Sequence, residues 1–157
     1  MILVAFLGND VMGDDGIGSY LYKYVKDMMP EYARGVYLHT DVLRLMSEYN
    51  GEDTIVFVDA LYGGSVKCGD VKIVPFHKID TLDATMKHAH EIGLIDSLKL
   101  MDKVDNKMAN ARKIFYLIGI DKENVKPSTS LSDCLRIKIH EISSNLLKLL
   151  HKIHYSC

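Results

Sequence analysis

The sequence predicts an α/β fold, a single three-layer domain over residues 1–157 with a mostly parallel, twisted sheet of about five strands and helices on both faces. Continuously apolar runs at 2–7, 54–58 and 114–120 predict buried strands. Amphipathic segments separate them, and such alternation requires right-handed crossovers, which place helices on both faces of the sheet. With 157 residues and 48% hydrophobic content, the chain can build one core.

The first half of the chain alternates strands and helices. A helix over 16–29, ended by Pro30, follows the first strand, and a short second strand covers 36–38. A short helix over 42–49 is expected to point Leu43 and Met46 inward. The buried strand at 54–58 then ends at Asp59.

The second half begins with an irregular strand. Residues 71–76 alternate and include Pro75, which predicts an edge or antiparallel strand. An amphipathic helix over 91–101 precedes the last buried strand. Ser130 or Ser132 is expected to cap a long terminal helix.

Charge, cysteine content and the lengths of the apolar runs exclude several classes of protein. The net charge of −2 and a pI near 6.4 argue against a general nucleic-acid binder. Cys68, Cys134 and Cys157 form no C-x-x-C pair, so we expect neither a disulfide framework nor a thiolate zinc site. The first residues lack the basic segment typical of a signal peptide, and no apolar run reaches about 18 residues, so we expect a cytoplasmic protein without membrane insertion.

Two acidic residues, Asp14 and Asp15, stand in the glycine-rich turn 13–18 after the first strand. Glycine-rich turns before a helix usually bind phosphate through backbone N–H groups. Two carboxylates would repel a phosphate, and the spacing matches neither dinucleotide nor P-loop fingerprints. The turn therefore favours a cation. An aspartate at a helix start can also serve as a simple cap.

A third acidic residue and a histidine-bearing segment complete the candidate site. Asp59 ends a buried strand, and ligand crevices lie at the carboxyl ends of parallel strands. It is therefore expected near Asp14 and Asp15, although it could simply close a turn. His88 and His90 are two residues apart, so only one is expected to bind metal. Two carboxylates and an imidazole suit zinc, nickel or a similar ion.

Three sequence blocks together resemble the maturation endopeptidases of nickel-iron hydrogenases. The block G-N-x-x-x-x-D-[DE]-G-x-G stands at 8–18. An apolar strand ending in D-A stands at 55–60, and H-[EQ]-x-G-L stands at 90–94. The chain departs from the family at Leu38-His39-Thr40, where relatives tend to have an acidic, glycine-rich turn.

The resemblance implies an endopeptidase that removes the C-terminal extension of a hydrogenase large-subunit precursor after nickel insertion. It implies metal contacts from Asp15, Asp59 and His90. The metal would be the nickel of the substrate, with zinc or cadmium able to substitute in vitro. We also expect Gly13, Asp14 and Thr40 to contact the substrate. No catalytic residue beyond the metal contacts is apparent.

A different class of protein shares part of this pattern. Receiver domains bind Mg²⁺ through an acidic pair after the first strand and are phosphorylated on an aspartate that ends a middle strand. Asp14, Asp15 and Asp59 fit that description superficially. The acidic pair, however, lies several residues beyond the strand, and Lys122 is offset from the end of the strand at 114–120. A nucleotide-binding module is disfavoured by the acidic turn.

Overall fold

Strands of one sheet organise the computed structural model, which describes residues 1–81, 87–88 and 91–156. Five strands lie in the order β2-β1-β3-β6-β4, and the two-residue β5 pairs with β3. β1, β2, β3 and β6 are parallel, whereas β4 runs antiparallel to β6 at the sheet edge. The strands are β1 (Ile2–Phe6), β2 (Ala33–Tyr37), β3 (Thr54–Tyr62), β4 (Val71–Pro75), β5 (Lys87–His88) and β6 (Arg112–Gly119).

Helices connect the strands and cover the sheet. They are α1 (Ile17–Val25), α2 (Leu45–Glu48), α3 (Glu91–Val104), α4 (Asn106–Asn110) and α5 (Asp133–Tyr155). Short 3-10 turns occupy Gly13–Gly16, Lys26–Met28, Val42–Arg44, Phe76–Thr81 and Lys122–Asn124. None of the helices in the described ranges is long and apolar enough to cross a membrane.

Alternating side chains of the strands enter two separate cores. Val4, Val56 and Tyr116 pack on one face, against α1 and α5. Leu3 and Phe57 pack on the other, against α2, α3 and α4. The sheet is therefore buried between two helical layers, which confirms the predicted three-layer α/β class.

The short helix after β2 presents a different face from the one predicted. Leu43 and Met46 were expected inward, but they are 54% and 43% exposed, whereas Val42 and Leu45 are buried. Both pairs are spaced by three residues, so helical periodicity alone cannot choose between them. The segment begins as a 3-10 turn, and its packing on the sheet decides in favour of Val42 and Leu45.

The expectation about the cysteines was wrong for two of the three. Cys68 and Cys134 form a disulfide, with Cα atoms 6.4 Å apart. The first lies between β3 and β4, and the second lies in the first turn of α5. Because 66 positions separate them, only the folded topology brings them together.

The buried phenol of Tyr116 is expected to limit the stability of the protein at alkaline pH. The Tyr116 hydroxyl donates to the Ile142 carbonyl at 2.7 Å, and burial, assisted by the charge of Glu141, raises the pKa of Tyr116. The unfolded state, with a tyrosine pKa of ~10, therefore loses this proton first. We expect stability to fall as the pH rises above ~10, and Tyr116→Phe to weaken that fall. Urea midpoints measured between pH ~8 and ~11 test this prediction.

The exposed Tyr155 offers the matched control for this measurement. Tyr155→Phe should leave the alkaline profile of the parent chain unchanged. If the urea midpoints of the parent chain and of Tyr116→Phe fell equally with rising pH, a group other than Tyr116 would be responsible for the loss of stability.

Candidate active site

Hydrogen bonds from a segment distant in sequence, residues 124–128, fix the acidic turn 13–18. The Gly13 N–H donates to the Ser128 carbonyl at 2.9 Å, and the Ser128 N–H donates to the Val11 carbonyl at 3.0 Å. Gly13 has φ +59°, and a Cβ there would lie 2.3 Å from the Asn124 carbonyl oxygen. The turn therefore needs glycine at this position, and residues 124–128 fix its path.

Asp14 anchors the same turn to the start of the last helix. Its carboxylate is fully buried and accepts 2.7 Å hydrogen bonds from both the N–H and the hydroxyl of Ser132. Ser132 occupies the N-cap position of α5, yet its side chain makes no capping hydrogen bond to the helix. The predicted cap is thus replaced by a tie between residues 118 positions apart.

Close packing of α1 on β1 brings the turn to the sheet edge. A Cβ on Gly18 would lie 2.0 Å from the Leu7 carbonyl oxygen, so only glycine allows this approach. Asp15 follows directly from Asp14 and is 6% exposed. Its backbone is fixed on both sides, because its carbonyl accepts from the Asn9 N–H and its N–H donates to Met12.

Asp59 lies within β3, not at the strand end that the sequence predicted. β3 continues to Tyr62, and Asp59 pairs in register with Leu117 of β6. The side chain is fully buried, and one carboxylate oxygen accepts from the Ala60 N–H at 2.8 Å. The preceding Val58 pairs with Phe6 of β1, so Asp59 lies next to the carboxyl end of β1, and β3 also contacts the turn Gly13–Gly16 that carries Asp14 and Asp15.

The histidine segment approaches the same end of β3. The backbone of His88 lies in β5, paired with Leu61, two residues beyond Asp59. The predicted third ligand, His90, lies outside the described residues. Among those that the structure describes, no three histidine, cysteine, aspartate or glutamate side chains are grouped to hold a metal ion.

An aromatic pair that sequence reasoning missed borders the acidic turn. The Tyr37 hydroxyl donates to the Gly8 carbonyl at 2.7 Å, and its ring stands 4.1 Å from that of His39. Burial raises the pKa of Tyr37, a hydrogen bond with Ser19 opposes this rise, and the negative charges of Asp10 and Asp15 add to it. His39 has φ 57°, an uncommon conformation for a residue other than glycine. Gly8, to which Tyr37 donates, lies against the acidic turn, because a Cβ there would lie 2.5 Å from the Asp15 carbonyl oxygen.

The predicted substrate contacts occupy two places around the turn. Gly13 and Asp14 line a cavity of about 260 Å³ that is bordered by Lys126 and by the serines of the 128–132 segment. Thr40 is exposed and follows His39, whose carbonyl accepts from the Gly8 N–H. Substrate contact by these residues remains a prediction.

The tie between Asp14 and Ser132 leads to a further prediction. Ser132→Ala removes one hydrogen bond to a buried carboxylate, a loss of about 1.5–3 kcal/mol. We expect a lower free energy of unfolding. We also expect a lower rate of the endopeptidase activity that the sequence resemblance implies, because the turn carrying Asp15 loses a support. Urea denaturation and a cleavage assay measure the two effects.

Ser130→Ala is the matched control for stability, since Ser130 is exposed on the same segment. It should leave the free energy of unfolding unchanged. If Ser132→Ala lowered stability but left cleavage unchanged, the tie would be structural only.

Comparisons with known proteins identify the family of this chain. The family model described as hydrogenase maturation protease, HycI, matches residues 36–149. The hydrogenase maturation protease HybD from Thermococcus kodakarensis is 30% identical, has a TM-score of 0.82, and aligns over 94% of this chain and 97% of its own. Protein FrxA from Pyrococcus furiosus is 29% identical over 144 residues, which are 90% of this chain and 98% of that protein.

A more distant solved structure shares the fold. HybD from Escherichia coli has a TM-score of 0.77 at 21% identity and covers 96% of this chain, with 92% of its own length aligned. The receiver-domain alternative receives no support from these matches. The family model spans more than half of the chain, and this protein therefore belongs to the hydrogenase maturation protease family.

Proposed function

We propose that this protein is an endopeptidase that removes the C-terminal extension of a nickel-iron hydrogenase large-subunit precursor after nickel has been inserted. The observation that supports this proposal best is the contact between β3, which carries Asp59, and the turn Gly13–Gly16, which carries Asp15, within a hydrogenase maturation protease fold. The substrate is then a folded protein that presents its own metal centre.

The proposed metal contacts are Asp15, Asp59 and His90. Two carboxylates and one imidazole make an incomplete ligand set, which binds a free ion weakly and gains affinity when the substrate supplies further ligands. Such a site responds to the nickel of a loaded precursor. A divalent ion held beside the scissile bond can polarise its carbonyl or activate water.

Asp15 and Asp59 have different structural support. Asp59 is part of a central strand bonded on both sides, so its position is set by the sheet. Asp15 is part of a turn whose position depends on Ser128 and Ser132. We propose that the two carboxylates contact the substrate's nickel, and that Gly13, Asp14 and Thr40 border the precursor.

Incubation with nickel-loaded and nickel-free precursor tests this function directly. Intact-mass measurement of the large subunit should show loss of the C-terminal extension from the loaded form alone. Cleavage of both forms would contradict nickel recognition while keeping the protease. Cleavage of neither form, with a correctly folded precursor, would contradict the proposed activity.

Metal binding should depend on pH through the histidine. Coordination requires a neutral imidazole, and an unperturbed histidine has a pKa of ~6.5. We expect Ni²⁺ or Zn²⁺ to bind weakly to the isolated protein and more weakly below that pH, as measured by calorimetry. An affinity that is constant between pH ~5 and ~8 would exclude His90 from the site.

The same titration distinguishes metal classes. Mg²⁺ prefers an all-oxygen octahedron, so it should bind less well than Ni²⁺ or Zn²⁺. His90→Ala provides the control, because its remaining affinity should lose the pH dependence.

A further inference from the structure

A groove runs along the outer strand of the sheet, away from the acidic turn. It has a volume of about 590 Å³ and lies between β4 and the last turns of α5. Its lining includes Arg112, which begins β6, and Ile153, near the end of α5. Arg112 pairs with Thr54 at the start of β3, whereas Asp59 lies past the middle of that strand. The groove therefore extends toward the end of the sheet at which the parallel strands begin, away from Asp59.

The groove combines an apolar floor with a positive rim. Ile73, Pro75 and Leu149 line it, and Ile73 is 50% exposed although it sits in a strand. Three cations border it, namely Arg112, Lys148 and Lys152, and no acidic residue is part of the lining. The chain as a whole carries a net charge of −2, so this concentration of positive charge is local.

The backbone of β4 provides a further element of recognition. β4 is the last strand in the sheet order, and no other strand in the described ranges pairs with its outer side. An exposed strand edge can accept an extended segment as an added strand, with backbone hydrogen bonds giving affinity and alternate side chains giving specificity. Val71, Ile73 and Pro75 are spaced by two, so they share the face that lines the groove.

From these features we infer that the groove binds an extended acidic segment of a protein partner, which adds to the edge of β4. Acidic side chains of the segment meet Lys148, Lys152 and Arg112, and an apolar side chain between them covers Ile73 and Leu149. Charge complementarity selects this occupant, since a basic segment would be repelled by all three cations. The inference concerns a surface apart from the acidic turn and is independent of the proposed proteolytic activity.

Synthetic peptides of about seven residues, which span ~23 Å when extended, test the assignment on the intact chain. One carries glutamate, isoleucine and glutamate at alternate positions with threonine between them, and its counterpart carries lysine in place of glutamate. Fluorescence anisotropy should show binding of the acidic peptide only. That binding should weaken as the salt concentration rises from about 50 to about 300 mM.

Variants locate the binding surface. The double substitution Lys148→Glu and Lys152→Glu should weaken binding of the acidic peptide at least about tenfold, through reversal of two rim charges. Lys99→Glu with Lys103→Glu is the matched control, because that pair has the same spacing on exposed positions of α3, in the other helical layer. Ile73→Ser should weaken binding as well, by removing part of the floor.

Methyl NMR spectra give an independent location. Binding should shift the signals of Ile73 and Leu149, and decanoate, an amphipathic small anion, should not displace the peptide. Equal binding of both peptides, equal loss in the α3 control, shifts confined to other methyl groups, or binding of decanoate alone would each overturn the assignment.

Discussion

Asp15→Asn and Asp59→Asn should each reduce cleavage of the nickel-loaded precursor by more than about 100-fold. The reason is the loss of an anionic oxygen ligand at the proposed metal contact. Replacing groups that merely support metal ligands already costs about 10–100-fold. The substitutions keep the shape of each side chain, so circular dichroism should report an unchanged fold. Intact-mass kinetics of the large subunit measure the loss.

Asp10→Asn is the matched control for this pair. Asp10 lies in the same loop after β1 and is partly exposed, but it is not a proposed ligand. It should retain most of the activity. Full activity in Asp59→Asn would remove this residue from the site and leave the resemblance at 55–60 without a functional meaning.

The histidines extend the same comparison. His90→Ala should abolish cleavage, whereas His88→Ala should be much milder, because only the first falls in the block H-[EQ]-x-G-L. Equal loss from both changes would show that the ligand was assigned to the wrong histidine.

Opening the Cys68–Cys134 disulfide should cause a large loss of stability. A bridge that closes a loop with 66 positions of separation restricts the unfolded chain, an effect of roughly 4 kcal/mol. For a chain of this size we expect a fall in Tm of about 10 °C, both for Cys68→Ser and for the reduced parent protein. Differential scanning calorimetry with and without reductant measures it.

The variant itself supplies the control. Reductant should lower the Tm of the parent protein and leave that of Cys68→Ser unchanged, because no bridge remains to be opened. An unchanged Tm in the reduced parent would show that the bridge contributes nothing to stability under those conditions.

Local patterns predicted the parts of the fold that depend on neighbouring residues. The continuous apolar runs located β1, β3 and β6, and the proline in the alternating segment correctly indicated an antiparallel edge strand. The placement of Asp59 near the acidic turn followed from strand order. The position of Asp59 inside the strand could not be predicted in this way, since apolar residues beyond Asp59 extend β3 to Tyr62 through pairing with β6.

Contacts between distant segments could not be predicted in this way. The tie from Asp14 to Ser132 joins residues 118 positions apart, and each of the two has an ordinary local explanation as a helix cap. The same limitation applies to the disulfide and to Tyr37 beside the acidic turn.

The dependence of the acidic turn on residues 124–132 sets the order in which a working protein can appear during synthesis. The turn is made early, but its supports, the Ser128 backbone and the Ser132 hydroxyl, are added more than one hundred residues later. Until that segment leaves the ribosome and α5 docks on the sheet, the turn has only its local hydrogen bonds at Asn9 and Met12 and lacks its supports from the second half of the chain. A partly synthesised chain is therefore expected to be inactive toward its substrate. Activity is expected only after residues 124–132 and α5 have docked.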